Sequence, residues 1–531
     1  MTSITLVAPC FEPTFFGRDH QLALFGKKAN MPVAALPTLA ALTPPEYDVT
    51  LVDEAVEDLD FDKIAEADIV CLTGMIVQRT RMLEIASELK ARGAFLVIGG
   101  PWVTAQEDYF DGLADVIFVG EADTTWPRFL EDWRSGTHEL RYQQAERTDM
   151  TTMPPQRFDL LDMSAYGGVG IQVSRGCPFR CEFCDIIVMF GRVPRVKNPD
   201  QVIAELDAAR AQGVRAIFVV DDNFIGNKKL VRPVLEAIIA WQREHSYPVL
   251  LSTEASINLA EEEELLDLMI EANFVGVFVG VESPNEDVLK ETRKVQNLKR
   301  GRNDAGPSLA DDIVRRLNVI QRKGLAVQCG MIVGFDNDHP DVFEKQKEFI
   351  SRSGVSAVVV GMLMAIPTTP LHERLESEGR LDTKDPPDFG TNVIPRHMTR
   401  QQLQDGYVRL MNELYEPDAF FARWEAEFAL RVPQIERSFR RRCPNPARRA
   451  MMFLTRAVIA GVVYARLKRR ASNRALMQVY RQQTLRFIRR YGGLSALTLL
   501  PVFVLGGYTS HFHYYTLVRE MAKGDGFRNT F

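Results

Sequence analysis

Three cysteines with C-x3-C-x2-C spacing, Cys177, Cys181 and Cys184, lie in the stretch 174–185, Ser-Arg-Gly-Cys-Pro-Phe-Arg-Cys-Glu-Phe-Cys-Asp, directly after the apolar run 170–173. Three thiols on one short loop at a strand end constrain the surrounding fold, because they invite a metal centre presented at the edge of a sheet. A structural zinc site closes with four ligands, and no fourth Cys or nearby His completes such a set here. An iron–sulfur cubane is held by thiolates, and three of them leave one iron open to substrate. Phe179 and Phe183 flank the cysteines and would shield a cluster from water.

At 531 residues the chain exceeds what one hydrophobic core holds, so two or three domains are expected. The remaining cysteines, Cys10, Cys71, Cys329 and Cys443, are scattered and give no disulfide framework. The start Met1-Thr-Ser-Ile-Thr-Leu lacks the basic and apolar regions of a signal peptide. A reducing, cytoplasmic compartment is therefore expected.

Residues 1–140 alternate short apolar runs (4–8, 49–52, 69–72, 95–98 and 116–119) with helical patterns such as 79–91. Continuous apolar strands between helices predict a doubly wound parallel sheet, which takes ligands at the carboxyl ends of its strands. Glycines fall at those ends: Gly74, then Gly99-Gly100-Pro101, then Gly120-Glu121. Residues 141–164, with Pro154-Pro155 and no clear period, read as a linker. From 165 to 398 the alternation resumes, with six strand candidates at 170–173, 216–220, 249–253, 275–281, 326–333 and 357–363. The polar, Gly-containing stretch 290–308 reads as a long loop.

The cysteine loop resembles the cluster loop of radical S-adenosylmethionine (SAM) enzymes, and six strand-helix units match that family's partial (β/α)6 barrel. The five-strand domain with its Ile-Gly-Gly-Pro and Val-Gly-Glu turns is similar to the cobalamin-binding modules of the same superfamily. The resemblance implies an α/β fold with an N-terminal doubly wound cobalamin-binding domain (1–140), a radical SAM barrel (165–398) and a helical, Arg-rich C-terminal region (399–531). It implies a 4Fe-4S cluster on Cys177, Cys181 and Cys184, whose open iron binds the amino and carboxylate groups of SAM and cleaves it to a 5'-deoxyadenosyl radical. It places Asp221, Asp222 and Asn223 by the SAM ammonium, Glu254, Ser256 and Glu282 by the ribose, and the 330–334 stretch ending in Gly334 by the adenine. Gly99, Gly100, Pro101, Gly120 and Glu121 would contact cobalamin, with Thr73 or Met75 near its lower face. No Asp-x-His-x-x-Gly motif follows the first strand, and His20 lacks its flanks, so cobalt is expected without a histidine below it.

The motifs Cys-Glu-Phe-Cys-Asp-Ile-Ile, Phe-Val-Val-Asp-Asp-Asn-Phe-Ile-Gly-Asn-Lys, Thr-Glu-Ala-Ser and Met-Ile-Val-Gly-Phe-Asp together resemble the cobalamin-dependent branch that includes the hopanoid C-2 methylases. That branch implies a methyltransferase acting on an unactivated carbon of a lipid or other small molecule, served by an electron donor such as flavodoxin or ferredoxin. Pigment or other natural-product methylation, RNA modification and a cobalamin-binding regulator are the competing classes.

Beyond residue 399 helical periodicity takes over. Residues 437–490 contain sixteen Lys or Arg and no Asp or Glu. The apolar runs 451–454, 458–465 and 494–505 each fall short of the roughly 20 residues that span a bilayer, and Pro501 interrupts the longest. Arg and Lys clustered beside Phe, Leu and Val suit the plane of a membrane surface, where each basic side chain contributes about 1 kcal/mol against anionic lipid. The density of aliphatic residues between the charges argues against nucleic acid as the partner, and peripheral contact with the inner face of the membrane is expected.

Overall fold

The computed structural model describes residues 1–298, 307–443, 445–471 and 474–522. Of the stretch expected to be a long loop, 290–308, residues 299–306 lie outside the described residues, while Lys290 and Glu291 end a helix and Val295–Asn297 form a single 3-10 turn. The chain forms two compact units that do not follow sequence order. The first comprises Met1–Pro13, Lys28–Ile238 and Ile366–Arg374, the second Thr14–Lys27, Ile239–Ala365 and Leu375–Phe531.

In the first unit, β1 (Ser3–Ala8), β2 (Asp48–Asp53), β3 (Ile69–Thr73), β4 (Leu96–Gly99), β5 (Val116–Val119) and β6 (Arg141–Gln143) form a parallel sheet in the order β2-β1-β3-β4-β5-β6. Every residue of β3 is buried, as continuous apolar strands require when both faces are covered. Alternate side chains feed two cores: Leu6 and Cys71 pack with Trp126 and Phe129, whereas Val7 and Leu72 pack with Met82 and Ile85. The segment expected to be a linker thus begins as a sixth strand. Its central Tyr142 is buried, stacks on Phe118 at 5.2 Å and donates to Asp132 at 2.8 Å. Three residues, Arg-Tyr-Gln, are too few to show a period in the sequence.

The same unit holds β7 (Val169–Ile171), the two-residue strands β8 (Ser174–Arg175) and β9 (Arg195–Val196), and β10 (Ala216–Val219). β7 pairs with β10 in parallel, and β8 with β9 antiparallel. In the second unit β11 (Leu250–Glu254), β12 (Phe274–Glu282), β13 (Ala326–Val333) and β14 (Ala357–Met362) pair in succession, all parallel. The six strand candidates of 165–398 are therefore all strands.

Six helices close the second unit: Arg400–Leu414, Pro417–Arg442, Pro446–Arg470, Arg474–Tyr491, Gly493–Phe503 and Thr509–Met521. The early helix Asp19–Phe25 joins them, with Phe15 stacked on Tyr514 at 5.3 Å and Gln21 donating to Thr509 at 2.8 Å. Two expectations about this region change. Pro501 does not end its helix, which continues through a π turn at Val504–Tyr508. The runs 451–454 and 458–465 are one continuous helix, in which Arg449–Arg470, with mean hydropathy 1.5, is long and apolar enough to cross a membrane. Counting uninterrupted apolar residues missed it because Thr455-Arg456 divides the run.

Candidate functional site

The β8–β9 ribbon brackets the cysteine loop. Gly176 turns the chain at φ 100°, and a Cβ there would stand 3.1 Å from the Gly191 carbonyl oxygen, so only glycine fits. Cys177 N donates to Gly191 O and Cys184 N to Cys181 O, each at 3.2 Å. Cys181 is buried and the other two thiols half-buried. Burial raises the Cys184 thiol well above its ordinary pKa, with Asp185 and the Cys181 and Cys177 sulfurs adding to the shift, so the three thiols share one neighbourhood. Among the described residues no three His, Cys, Asp or Glu converge on a single ion. A cubane does not require such convergence, since each thiolate takes a different iron, and an all-thiol donor set matches iron–sulfur chemistry.

Carboxylates at the end of β10 fix this loop. Asp221 accepts from Val173 N at 2.7 Å and from the Ser174 hydroxyl at 2.6 Å, while Asp222 accepts from Gly176 N at 2.7 Å. Burial pushes Asp221 up to about 7 and Asp222 up to about 6. The Asn223 amide donates toward Cys177 Sγ at 3.9 Å. Glu182, between the second and third cysteines, takes Arg374 at 2.6 Å, and its carbonyl accepts from Leu371 N at 3.1 Å.

A buried ion-pair group that the sequence did not reveal ties the β5 end to the same loop. Arg175 reaches Glu121 at 2.9 Å and Asp123 at 2.5 Å, and Arg195 reaches Glu121 at 2.9 Å. The second Glu121 oxygen accepts from Thr148 N at 3.1 Å, so the carboxylate is fully engaged within the protein. Burial alone would raise Asp123, and the Arg175 charge and hydrogen bond bring it below its ordinary value. The acidic pair Glu121-x-Asp123 after an apolar strand was the available signal, but its arginine partners lie 52 or more residues away.

Along the sheet edge of the first unit, Thr73 is buried at the end of β3 and Met75 is 44% exposed just beyond it. Gly100, at φ 102°, packs so closely that a Cβ would stand 2.5 Å from Thr73 Oγ1, and Pro101 then opens the helix Pro101–Ala105. The glycine requirement at 100 thus arises from the turn itself. Gly99 faces Phe118, whereas Gly120, at φ 76°, has open space around it.

In the second unit Glu254 ends β11 and Ser256 lies two residues on, its Oγ 2.5 Å from Asn258. Glu282 ends β12 at φ 64° and pairs with Lys294 at 2.6 Å. Gly334, past β13 at φ 104°, donates to Asp338 at 2.9 Å. These residues share the carboxyl edge of one parallel sheet. His20 belongs to this unit and pairs with Glu520 at 3.0 Å.

The profile of the Radical SAM superfamily matches residues 171–350, and that of a domain of unknown function, DUF4070, matches 369–497. The chain is 37% identical over 441 residues to an uncharacterized methyltransferase of Synechocystis sp., covering 82% of this chain and 80% of the relative. It is 33% identical over 432 residues to the hopanoid C-2 methylase of Rhodopseudomonas palustris, covering 80% and 79%. Its fold resembles that of the cobalamin-dependent SAM radical enzyme OxsB, solved with aqua-cobalamin and SAM bound, at a TM-score of 0.60 with 15% identity, covering 96% of this chain and 84% of that one. It also resembles the radical SAM methyltransferase TsrM from Kitasatospora setae, solved with cobalamin and a 4Fe-4S cluster, at 0.57 with 15% identity, covering 73% and 78%.

Proposed function

Because the chain belongs to the cobalamin-dependent radical SAM methyltransferases, we propose that it methylates an unactivated carbon of a lipid, with C-2 of a hopanoid as the target. The observation that carries the substrate is the likeness to a hopanoid C-2 methylase across four-fifths of the chain. When bound, the cluster, SAM and methylcobalamin supply hydrogen abstraction and the methyl group, with electrons from a flavodoxin or ferredoxin.

Cys177, Cys181 and Cys184 hold the cluster in this reading. Asp221 and Asp222 fix the chain from Val173 to Gly176, directly before the first cysteine, while Asn223 directs its amide at Cys177. Glu254, Ser256, Glu282 and Gly334 line the strand ends assigned to the SAM ribose and adenine. Gly99, Gly100, Pro101 and Gly120 carry the cobalamin tail, with Thr73 and the half-exposed Met75 at its lower face. Strand carboxyl ends are where doubly wound sheets take ligands. The protein's part is to place these groups and exclude water. The basic C-terminal region brings the enzyme to the inner face of the membrane, where a lipid substrate resides.

Comparative lipid mass spectrometry of cells with and without the chain tests this reading. Deletion should remove a methylated hopanoid, and the intact chain, but not its Cys181→Ala variant, should restore it. Unchanged hopanoids with loss of a methylated pigment would move the substrate to that class, and restoration by Cys181→Ala would refute the cluster assignment.

A further inference from the structure

We propose that the C-terminal helices bind one hydrocarbon chain of an anionic phospholipid in a groove between the helix Pro446–Arg470 and the helices Arg474–Tyr491 and Gly493–Phe503. The inference rests on the membrane contact of the functional reading above and names the site that makes it. The groove encloses about 430 Å3, within the range of small-molecule sites. Ala457, Ala460 and Gly461 hollow out one side, and Leu500, Pro501 and Val504 form the other. A Cβ added at Gly461 meets nothing within 4 Å.

The groove offers three polar side chains, Tyr464, Thr484 and Arg481, among eight apolar residues. Thr484 lines it, but its hydroxyl already donates to Tyr480 O at 2.9 Å and lies 2.7 Å from the Tyr508 hydroxyl. Arg481 also lines it, is exposed, and makes no ion pair among the described residues. An apolar slot with a solvated guanidinium fits an acyl chain below a phosphate headgroup.

The surrounding surface favours lipid over a second protein. Met451, Leu454, Val458 and Val462 are 65%, 61%, 65% and 47% exposed. They recur at i, i+3, i+7 and i+11, one stripe of the helix about 16 Å long. On the next helix Leu485, which lines the groove, and Ile488 are also exposed. Lys468, Arg469 and Arg470 stand at its end, exposed and without an ion pair among the described residues. With no Asp or Glu between 437 and 490, a second copy docking symmetrically here would set cation against cation. An anionic bilayer complements both the charge and the apolar stripe.

The test uses the full-length protein and the variants Gly461→Phe, which fills open space within a helix, and Arg481→Gln. Vesicles of phosphatidylcholine with phosphatidylglycerol serve for flotation, and chain-spin-labelled phosphatidylglycerol reports groove occupancy. The wild type should float and immobilise the label, and Gly461→Phe should lower the immobilised fraction about tenfold while still floating. Arg481→Gln should weaken labelled phosphatidylglycerol but leave labelled phosphatidylcholine unchanged, which keeps the proposal testable if Gly461→Phe misfolds. If the wild type floats but Gly461→Phe immobilises the label equally, the groove is overturned and the membrane contact stands. Failure of the wild type to float overturns both. Retention in membranes after alkaline carbonate extraction, or a dimer by light scattering that buries Met451 and Val458, also overturns the proposal.

Discussion

Around the cysteine loop, Arg175 and Arg195 lie buried against Glu121 and Asp123, with side-chain exposures of 10%, 16%, 2% and 8%. Along the Pro446–Arg470 helix, Lys468, Arg469 and Arg470 are exposed, and no carboxylate occurs anywhere between 437 and 490. The first region satisfies its charges internally, so each polar group there holds backbone in place for the thiols. The second region leaves cations and apolar side chains to solvent together. Substitutions in the first should therefore register in the stability of the isolated protein, and those in the second only when a partner surface is supplied.

Arg175→Ala offers the strongest break of this contrast. It leaves Asp123 in the interior without its arginine and Glu121 with Arg195 alone, and loss of one member of a buried ion pair costs about 3–5 kcal/mol. Urea denaturation should show that loss, and a change below about 1 kcal/mol would mean the group does not organise the loop. Gly100→Ala ranks next, at about 1–3 kcal/mol, because it combines an unfavourable φ with a Cβ 2.5 Å from Thr73 Oγ1. Gly120→Ala, with open space around it, should cost less; equal losses would show that the Thr73 contact relaxes freely.

The strands and the cysteine loop were legible because their signals are local: continuous apolar runs at β3 and β13, and three thiols within eight residues. What escaped depends on partners distant in sequence. β6 is a strand only because β5 offers it an edge. Thr14–Lys27 leaves the N-terminal domain because Phe15 and His20 find Tyr514 and Glu520 some five hundred residues on. Nothing in the sequence around Glu121 points to Arg175 and Arg195, which hold both its oxygens. The continuous helix through Arg456 shows the same limit, since one charge breaks an apolar count without breaking a helix.

Asp221 sharpens the loop side of the comparison through pH. Asp221→Ala leaves Val173 N and the Ser174 hydroxyl without their acceptor, at about 1–3 kcal/mol. Its folded pKa of about 7 stands above the ordinary 3.8. The folded apo protein thus binds the proton more tightly than the unfolded chain, and the associated stability is full below about pH 4 and lost as pH rises through about 7. Asp221→Asn should flatten that decline in thermal or urea midpoints recorded from pH 5 to 8, and an unaltered pH profile would assign the decline to other groups.

The smallest expected effect on folding belongs to the tail. Replacing Arg469 and Arg470 by Ala should change stability by less than about 0.5 kcal/mol, as for surface sites without partners. The same pair should lower affinity for anionic vesicles severalfold, because each basic side chain at such a surface contributes about 1 kcal/mol. Raising ionic strength past the point where the Debye length falls to about 8 Å should erase most of the difference between variant and wild type. The apolar stripe of Met451, Leu454 and Val458 should leave both with a common residual affinity. Vesicle flotation over a salt series separates the two contributions. A variant that loses stability but not vesicle affinity would show that these cations serve the fold, and the contrast between the two regions would fail.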